Sequence, residues 1–311
     1  MVSIVKRKKG NEYYYYLRHH VRRNNKQKEI YLGKTIPDKI DEIKQEFLLN
    51  FYKEEWLPIL EKIHQGYMKE RKTMPKSAIE KEIEEFSIHF TYNTQRIEGS
   101  TLTLKDTALL LEEGIAPANK PIRDIKEAEA HRKLFFEILD NINRVDLFLS
   151  TVLEWHRKLF KETKPDIAGK VRDRQVRIVV SKYVPPQPQV LRLFLKEFFE
   201  WYSKNKRNKK LNPVELAAHV HFKFVSIHPF VDGNGRISRL MMNYVLHKFG
   251  YPMLDIDYSD RRSYYRALER SNLKKNDVIF LEWFMKRYIK SNKRYIETSG
   301  PKITRKISLL P

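Results

Sequence analysis

Two neighbouring segments, 214–227 with apolar residues all round and the apolar-rich 235–249, constrain this chain more than anything else in it. The first carries Leu216, Ala217, Ala218, Val220, Phe222, Phe224 and Val225 around its whole circumference. A helix without a polar face has to be buried, so other helices must pack around it. Asn212-Pro213 supplies its start, a capping side chain followed by proline at the first helical position. The second segment runs through Leu240, Met241, Met242, Tyr244 and Val245 and stops at Gly250. A buried helical pair of this kind predicts a mostly α fold with these two elements inside it.

From the end of the first into the start of the second runs His228-Pro229-Phe230-Val231-Asp232-Gly233-Asn234-Gly235-Arg236-Ile237-Ser238-Arg239. Gly233 and Gly235 let the backbone turn sharply and aim amide N–H groups at one small volume. That volume sits at a helix N-terminus, where unpaired donors and the macrodipole favour an anion. Arg236 and Arg239, three apart, share a helix face and suit a polyphosphate. Asp232 is a hard carboxylate able to hold Mg²⁺ through phosphate oxygens and water. His228, at the end of a buried helix, is a group that can take a proton near neutral pH. These parts describe phosphoryl-group chemistry with an external nucleophile.

The rest of the chain reads as helices around this pair. Ser77 with Glu80 predicts a capping box, and Ile79, Ile83, Phe86 and Phe90 then share one face of a helix over 78–97 ended by Gly99. Further helices are expected near 104–113, 123–141, 145–161, 189–204, 262–272 and 277–296. The exception is 169–186, where β-branched Gln175–Val180 followed by Tyr183-Val184-Pro185-Pro186 predicts a short hairpin. At the front, Glu12–Tyr16 and Glu29–Leu32, joined by a polar turn over Arg22–Lys28, predict a small aromatic β-hairpin module. The expected organisation is a basic arm over 1–37, a helical linker over 38–75, the main domain over 76–297 and a basic tail over 298–311.

Charge is concentrated at the two ends. Residues 1–36 hold ten Lys/Arg against Glu12 and Glu29, and residues 287–311 hold seven against Glu297, within a total of +22. Such a surface attracts nucleic acid or acidic proteins, and it equally fits a solvated basic surface. The absence of cysteine excludes disulfides, thiolate metal sites and a cysteine nucleophile. No apolar run reaches the roughly 18 residues of a membrane span, so no membrane partner and a cytoplasmic location are expected.

The segment 228–239 resembles the signature of the Fic family, His-Pro-Phe-x-Asp-Gly-Asn-Gly-Arg-x-x-Arg, and matches every defined position. The resemblance spans roughly 76–290 and implies a Fic-type helical bundle that transfers AMP from ATP, with Mg²⁺, to Ser, Thr or Tyr of a target protein. By that resemblance His228 deprotonates the incoming hydroxyl and Asp232 binds the metal. Gly233, Asn234 and Gly235 cradle the phosphates, Arg236 contacts the phosphate chain and Arg239 holds the γ-phosphate. Val176 looks like the flap residue beside the target backbone, and Tyr265 and Asn272 look like adenine-side contacts. Thr94-Gln95-Arg96-Ile97-Glu98-Gly99 is similar to the family's inhibitory motif on the N-terminal side, which implies that Glu98 competes with the γ-phosphate for Arg239.

Other readings stay open at this stage. The same glutamate serves removal of AMP in some family members, so a de-AMPylase or a bifunctional enzyme is an alternative. The arginines suit a nucleoside triphosphate without naming its base, and a phosphocholine-bearing donor fits the same site. A nucleic-acid-binding protein acting through the arm at 1–36 is a reading from another class. Family members often pair through helical surfaces, which makes a homodimer a further expectation.

Overall fold

The computed structural model describes residues 2–21, 26–179 and 181–297. It forms two compact units that meet between Ile59 and Leu60, inside one long helix, so the segment 38–75 contributes to both.

The first unit is a three-stranded antiparallel sheet in the order β1 (Val2–Lys9), β2 (Glu12–Val21), β3 (Lys26–Gly33), with the first part of helix α1 (Ile40–Thr73). Ile4 and Ile30 flank Leu17 in register, and Tyr16 lies between Val5 and Tyr31. Side chains alternate across the sheet, so Leu17 and His19 share a face. They are buried, as are Phe47, Phe51 and Trp56 of α1, and the His19 ring lies 4.8 Å from that of Phe51. The expected hairpin therefore gains a third strand. Four consecutive basic residues, Lys6 to Lys9, make β1 read as a polar tail, but lysine is a residue that edge strands tolerate. Gly10, at a φ of 63°, allows the tight turn into β2. The turn expected over Arg22–Lys28 lies partly outside the described residues.

The second unit holds the rest of α1 and ten further helices among the described residues: α2 (Lys76–Ile97), α3 (Leu104–Glu113), α4 (Ile122–Asp140), α5 (Leu149–Phe160), α6 (Leu191–Asn208), α7 (Pro213–Ile227), α8 (Asn234–Lys248), α9 (Arg261–Leu273), α10 (Val278–Ser291) and α11 (Lys293–Glu297). The pair α7 and α8 is the centre. Helices α6, α9 and α10 pack on α7, and α2, α4 and α5 pack on α8. Along α8 every residue from Arg236 to Leu246 is buried, the polar Arg236, Ser238, Arg239 and Asn243 included.

Three local expectations differ from the structure. Helix α2 starts at Lys76, and the Pro75 carbonyl accepts from the amides of Ala78 and Ile79 at 3.0 and 3.1 Å. Ser77 thus lies inside the first turn, and no side chain caps the helix; a capping box forms instead at Thr103 and Asp106 of α3. The segment 169–186 contains no strand among its described residues. Pro185 and Pro186 have no N–H for a ladder, and Val179 is 99% exposed with nothing to pack against. Its limbs are joined by Gln175, whose Nε2 donates to the Pro185 carbonyl at 2.9 Å. The helix expected over 277–296 breaks at Asn292, whose side-chain amide donates to the Tyr288 carbonyl at 2.9 Å.

Candidate active site

The site begins where α7 ends. Asn212 caps the start of α7 by accepting from Val214 N at 2.9 Å, and the helix closes on His228 in the left-handed conformation, φ 52° and ψ 57°. A non-glycine residue held there costs about 1–3 kcal/mol and persists only where its surroundings enforce it. Arg172 does the enforcing: its Nε donates to the His228 carbonyl and its backbone N–H to the Pro229 carbonyl, both at 2.9 Å. The same guanidinium reaches the carbonyls of Arg174 and Pro186, so one buried arginine ties the catalytic-type turn to the 169–186 loop.

The His228 ring is oriented from behind. Its Nδ1 lies 3.2 Å from the Val225 carbonyl oxygen. A carbonyl only accepts, so Nδ1 carries the proton and Nε2 keeps its lone pair. Burial lowers the pKa of His228 below the ordinary histidine value, opposed by the Val225 carbonyl and the Glu98 carboxylate. The ring is neutral at pH 7 and able to accept a proton.

Residues 229–235 are pinned by partners from distant segments. Phe230 is buried and stacks on His156 at 3.8 Å. His156 Nε2 donates to the Asp232 carbonyl at 3.0 Å while its Nδ1 accepts from Gly169 N at 2.9 Å. Burial brings the His156 pKa down to about 4, which keeps that arrangement of one donor and one acceptor. Asn234 bonds both the amide and the carbonyl of Phe230 through its side chain. Gly233 has φ 83°, and a Cβ there would collide with the Phe160 ring. At Gly235 a Cβ would fall on the Glu98 carboxylate and 3.0 Å from Arg239 Nη1. The backbone at the start of α8 is thus open to close approach, and an anionic group already rests against it.

The charged groups form two clusters. Arg239 is 1% exposed and satisfied throughout: Nε donates to Thr94 Oγ1 at 2.6 Å, Nη1 to Tyr264 OH at 3.3 Å, and Nη2 to the Thr94 carbonyl and to Glu98 Oε1 at 3.2 and 2.7 Å. Arg236 lies over the Phe160 ring at 4.6 Å and bonds Glu127 Oε2, Gln95 Oε1 at 3.2 Å and Asp232 Oδ1 at 3.0 Å. Asp232 also accepts from Gly233 N and from Lys164 Nζ, each at 2.5 Å. Burial alone would raise the pKa of Asp232, but Arg236 and Lys164 outweigh it and hold the carboxyl well below the usual range. Among the described residues no group of three His, Cys, Asp or Glu side chains can hold a metal. A divalent ion here would take Asp232, with Glu127 opposite, and complete its shell with phosphate oxygens and water; the all-oxygen donor set fits Mg²⁺.

Two small cavities meet at these groups. One, of about 90 Å³, is lined by Glu98, His228, Gly235, Tyr265, Asn272 and Ile178 among others. The other, of about 100 Å³, is lined by Glu98, Glu127, Lys164, Asp232 and Arg236 among others. Glu98 lines both. Two larger clefts, of about 590 and 490 Å³, lie away from His228. The structure therefore brings His228, Asp232, Gly233, Asn234, Gly235, Arg236, Arg239, Glu98, Tyr265 and Asn272 into one region. Val176 is half-buried and lines neither cavity; Ile178, two residues on, takes the position on the wall. Lys164, Glu127, His156 and Arg172 are neighbours of the site that no local pattern announces, since each reaches it from 56 to 109 residues away.

Residues 146–246 match the Fic/DOC family. Over 199 residues the chain is 35% identical to the protein adenylyltransferase Fic of Drosophila persimilis, covering 63% of this chain and 38% of that protein. Over 201 residues it is 32% identical to the protein adenylyltransferase fic-1 of Caenorhabditis briggsae, covering 63% and 39%. The chain thus spans less than half the length of these relatives. Among solved structures, a Fic-domain-containing signalling protein from Bacteroides thetaiotaomicron aligns with a TM-score of 0.71 and 26% identity, over 78% of this chain and 96% of that one. A Fic-1 fragment from C. elegans aligns with a TM-score of 0.68 and 26% identity, over 86% and 81%. With the helical bundle and the segment 228–239 in hand, these likenesses identify residues 146–246 as a match to the Fic/DOC family.

Proposed function

We propose that this chain transfers the AMP moiety of ATP to a Ser, Thr or Tyr hydroxyl of a target protein, and that Glu98 holds the reaction back. The observation that carries the reading is the neutral His228, its Nε2 left with a lone pair, on the same small cavity as Gly235 at the start of α8. The relatives named protein adenylyltransferase support AMP as the group transferred. The target hydroxyl oxygen bonds to the α-phosphorus, the bond to the bridging oxygen breaks, and pyrophosphate leaves with that electron pair. Nε2 of His228 takes the hydroxyl proton. The amides at 233–235 and Arg236 orient the phosphates, and Tyr265 and Asn272 flank the base. Mg²⁺, held by Asp232, would neutralise phosphate charge.

Inhibition follows from occupancy. Glu98 accepts from Arg239 Nη2 and rests its carboxylate against Gly235, where phosphate oxygens belong. Labelled ATP with Mg²⁺ tests the whole reading: Glu98→Gly acquires label on itself or a target, and His228→Ala in that background acquires none. Equal labelling with and without His228 would remove it as the base.

A second reading concerns the first unit. Its outer sheet face carries Tyr14, Tyr16 and Tyr31 with ring centroids 5.4–6.2 Å apart, and Arg7 and Arg18 joined through Glu29. Tyr31 is 55% exposed. Aromatic rings beside basic groups suit a nucleic-acid backbone and its bases. We expect the full chain to bind a labelled oligonucleotide with a steep salt dependence and a chain lacking 1–36 to lose that binding; equal retention by both sinks this reading.

A further inference from the structure

Lys164 follows the end of α5, and its ammonium lies between two carboxylates. Nζ is 2.5 Å from Asp232 Oδ2 and 3.0 Å from Glu127 Oε1. The remaining oxygens of both acids meet Arg236, which bonds Asp232 Oδ1 and Glu127 Oε2. Two acids and two bases make a closed, neutral quartet. We propose that Asp232 and Glu127 form one cation site, which Lys164 fills in this state and which a divalent metal fills in its place.

Three observations carry this. First, both acids present oxygen, the donor a hard divalent ion takes, and their two free-facing oxygens converge on a single ammonium nitrogen. Second, the two acids are held from elsewhere: Glu127 is 5% exposed on α4, and Asp232 is fixed by Gly233 N and Arg236. The site therefore survives the departure of its occupant. Third, the occupant can leave. Lys164 belongs to the turn after α5, its side chain is 24% exposed, and its flexible four-carbon stem reaches water readily. Both cations lie over the Phe160 ring, but Arg236 is 3% exposed and also bonds Gln95, so it cannot do the same.

Charge makes the two occupants exclusive. With Lys164 in place the quartet has no net charge to offer a metal. A divalent ion entering beside a retained ammonium would meet like charge within about 3–4 Å, a strongly unfavourable contact. With the lysine withdrawn, two carboxylates face one guanidinium and the metal is attracted. Glu127 is thereby a second cation-facing ligand beside Asp232, and Lys164 a positioning residue that gates metal entry. The inference rests on the reading of Asp232 as metal-binding in AMP transfer, but its test does not need transfer.

Mn²⁺ serves as the probe ion, titrated against the full chain without nucleotide, with the free-ion EPR signal as readout. Lys164→Met and, as a second variant, Lys164→Gln should bind Mn²⁺ at least about tenfold tighter than the parent. Adding Glu127→Gln should return the affinity toward the parent value. Arg123→Gln is the control: Arg123 lines the same cavity but pairs with Asp124 at 3.5 Å, so its removal should change affinity by less than about twofold. Unchanged Mn²⁺ affinity in both Lys164 variants overturns the proposal, and so does an equal gain in Arg123→Gln, which would mean diffuse charge without displacement. A chain that binds Mn²⁺ as expected yet transfers no AMP would refute the enzyme reading alone.

Discussion

If Glu98 inhibits as proposed, its contact with Arg239 sets a measurable scale for that inhibition. Replacing Glu98 by Gly removes one charge-assisted hydrogen bond of 2.7 Å to a guanidinium that is 1% exposed. Hydrogen bonds to charged groups contribute about 1.5–3 kcal/mol. ATP must displace this contact to use Arg239, so removing it should tighten ATP binding by roughly 10- to 100-fold. The variant should still fold, because Arg239 keeps Thr94 and Tyr264 as partners and Glu98 occupies a helix end at φ −86°, an ordinary backbone conformation. Calorimetric titration of ATP with Mg²⁺ into parent and variant gives the ratio directly, and intact mass reports AMP on the protein. Glu98→Gln separates charge from shape: it fills the same space without the charge and should lie between the two. If Glu98→Gly binds ATP no more tightly than the parent while remaining folded, the carboxylate is not competing for Arg239 and the occupancy reasoning fails.

Two further outcomes concern the scaffold. Gly233→Ala combines an unfavourable positive φ with a Cβ driven into Phe160, and should cost about 2–4 kcal/mol by urea unfolding. Gly114→Ala, at a similar φ but with nothing within 4 Å, should cost about 1 kcal/mol, and equal losses would contradict the role given to Phe160. Asp255 accepts from Asn93 on α2, and burial pushes its carboxyl up to about 7. Its folded pKa exceeds the unfolded one, so stability is fully present below about pH 4 and falls as pH rises toward about 7. Asp255→Asn should abolish that fall, worth roughly 2–4 kcal/mol, and a melting-temperature profile unchanged between pH 5 and 8 would refute it.

Much of this fold was legible in the residues themselves. The ends of α3, α7 and α8 coincide with the expected limits to within one residue, because capping residues, glycines and all-round apolarity act over a few positions. The turn at 228–239 was equally readable, since its chemistry-bearing residues are contiguous. Strand β1 escaped because lysine-rich edges resemble tails, and the loop at 169–186 misled because β-branched residues suggest strands even where proline denies them a partner.

What the sequence determined by itself, then, is the buried helical pair and the twelve-residue segment that runs from the end of one into the start of the other, features that local periodicity and backbone chemistry specify. Only the tertiary structure decided that Lys164 meets Asp232, that Glu127 meets Arg236, that Arg172 holds the His228 carbonyl, and that Ile178 rather than Val176 faces the cavity. Pairings of polar groups across dozens of residues leave no period in the chain. They are chosen when burial removes water and each charge or donor must find whatever partner the packed helices bring within about 3 Å.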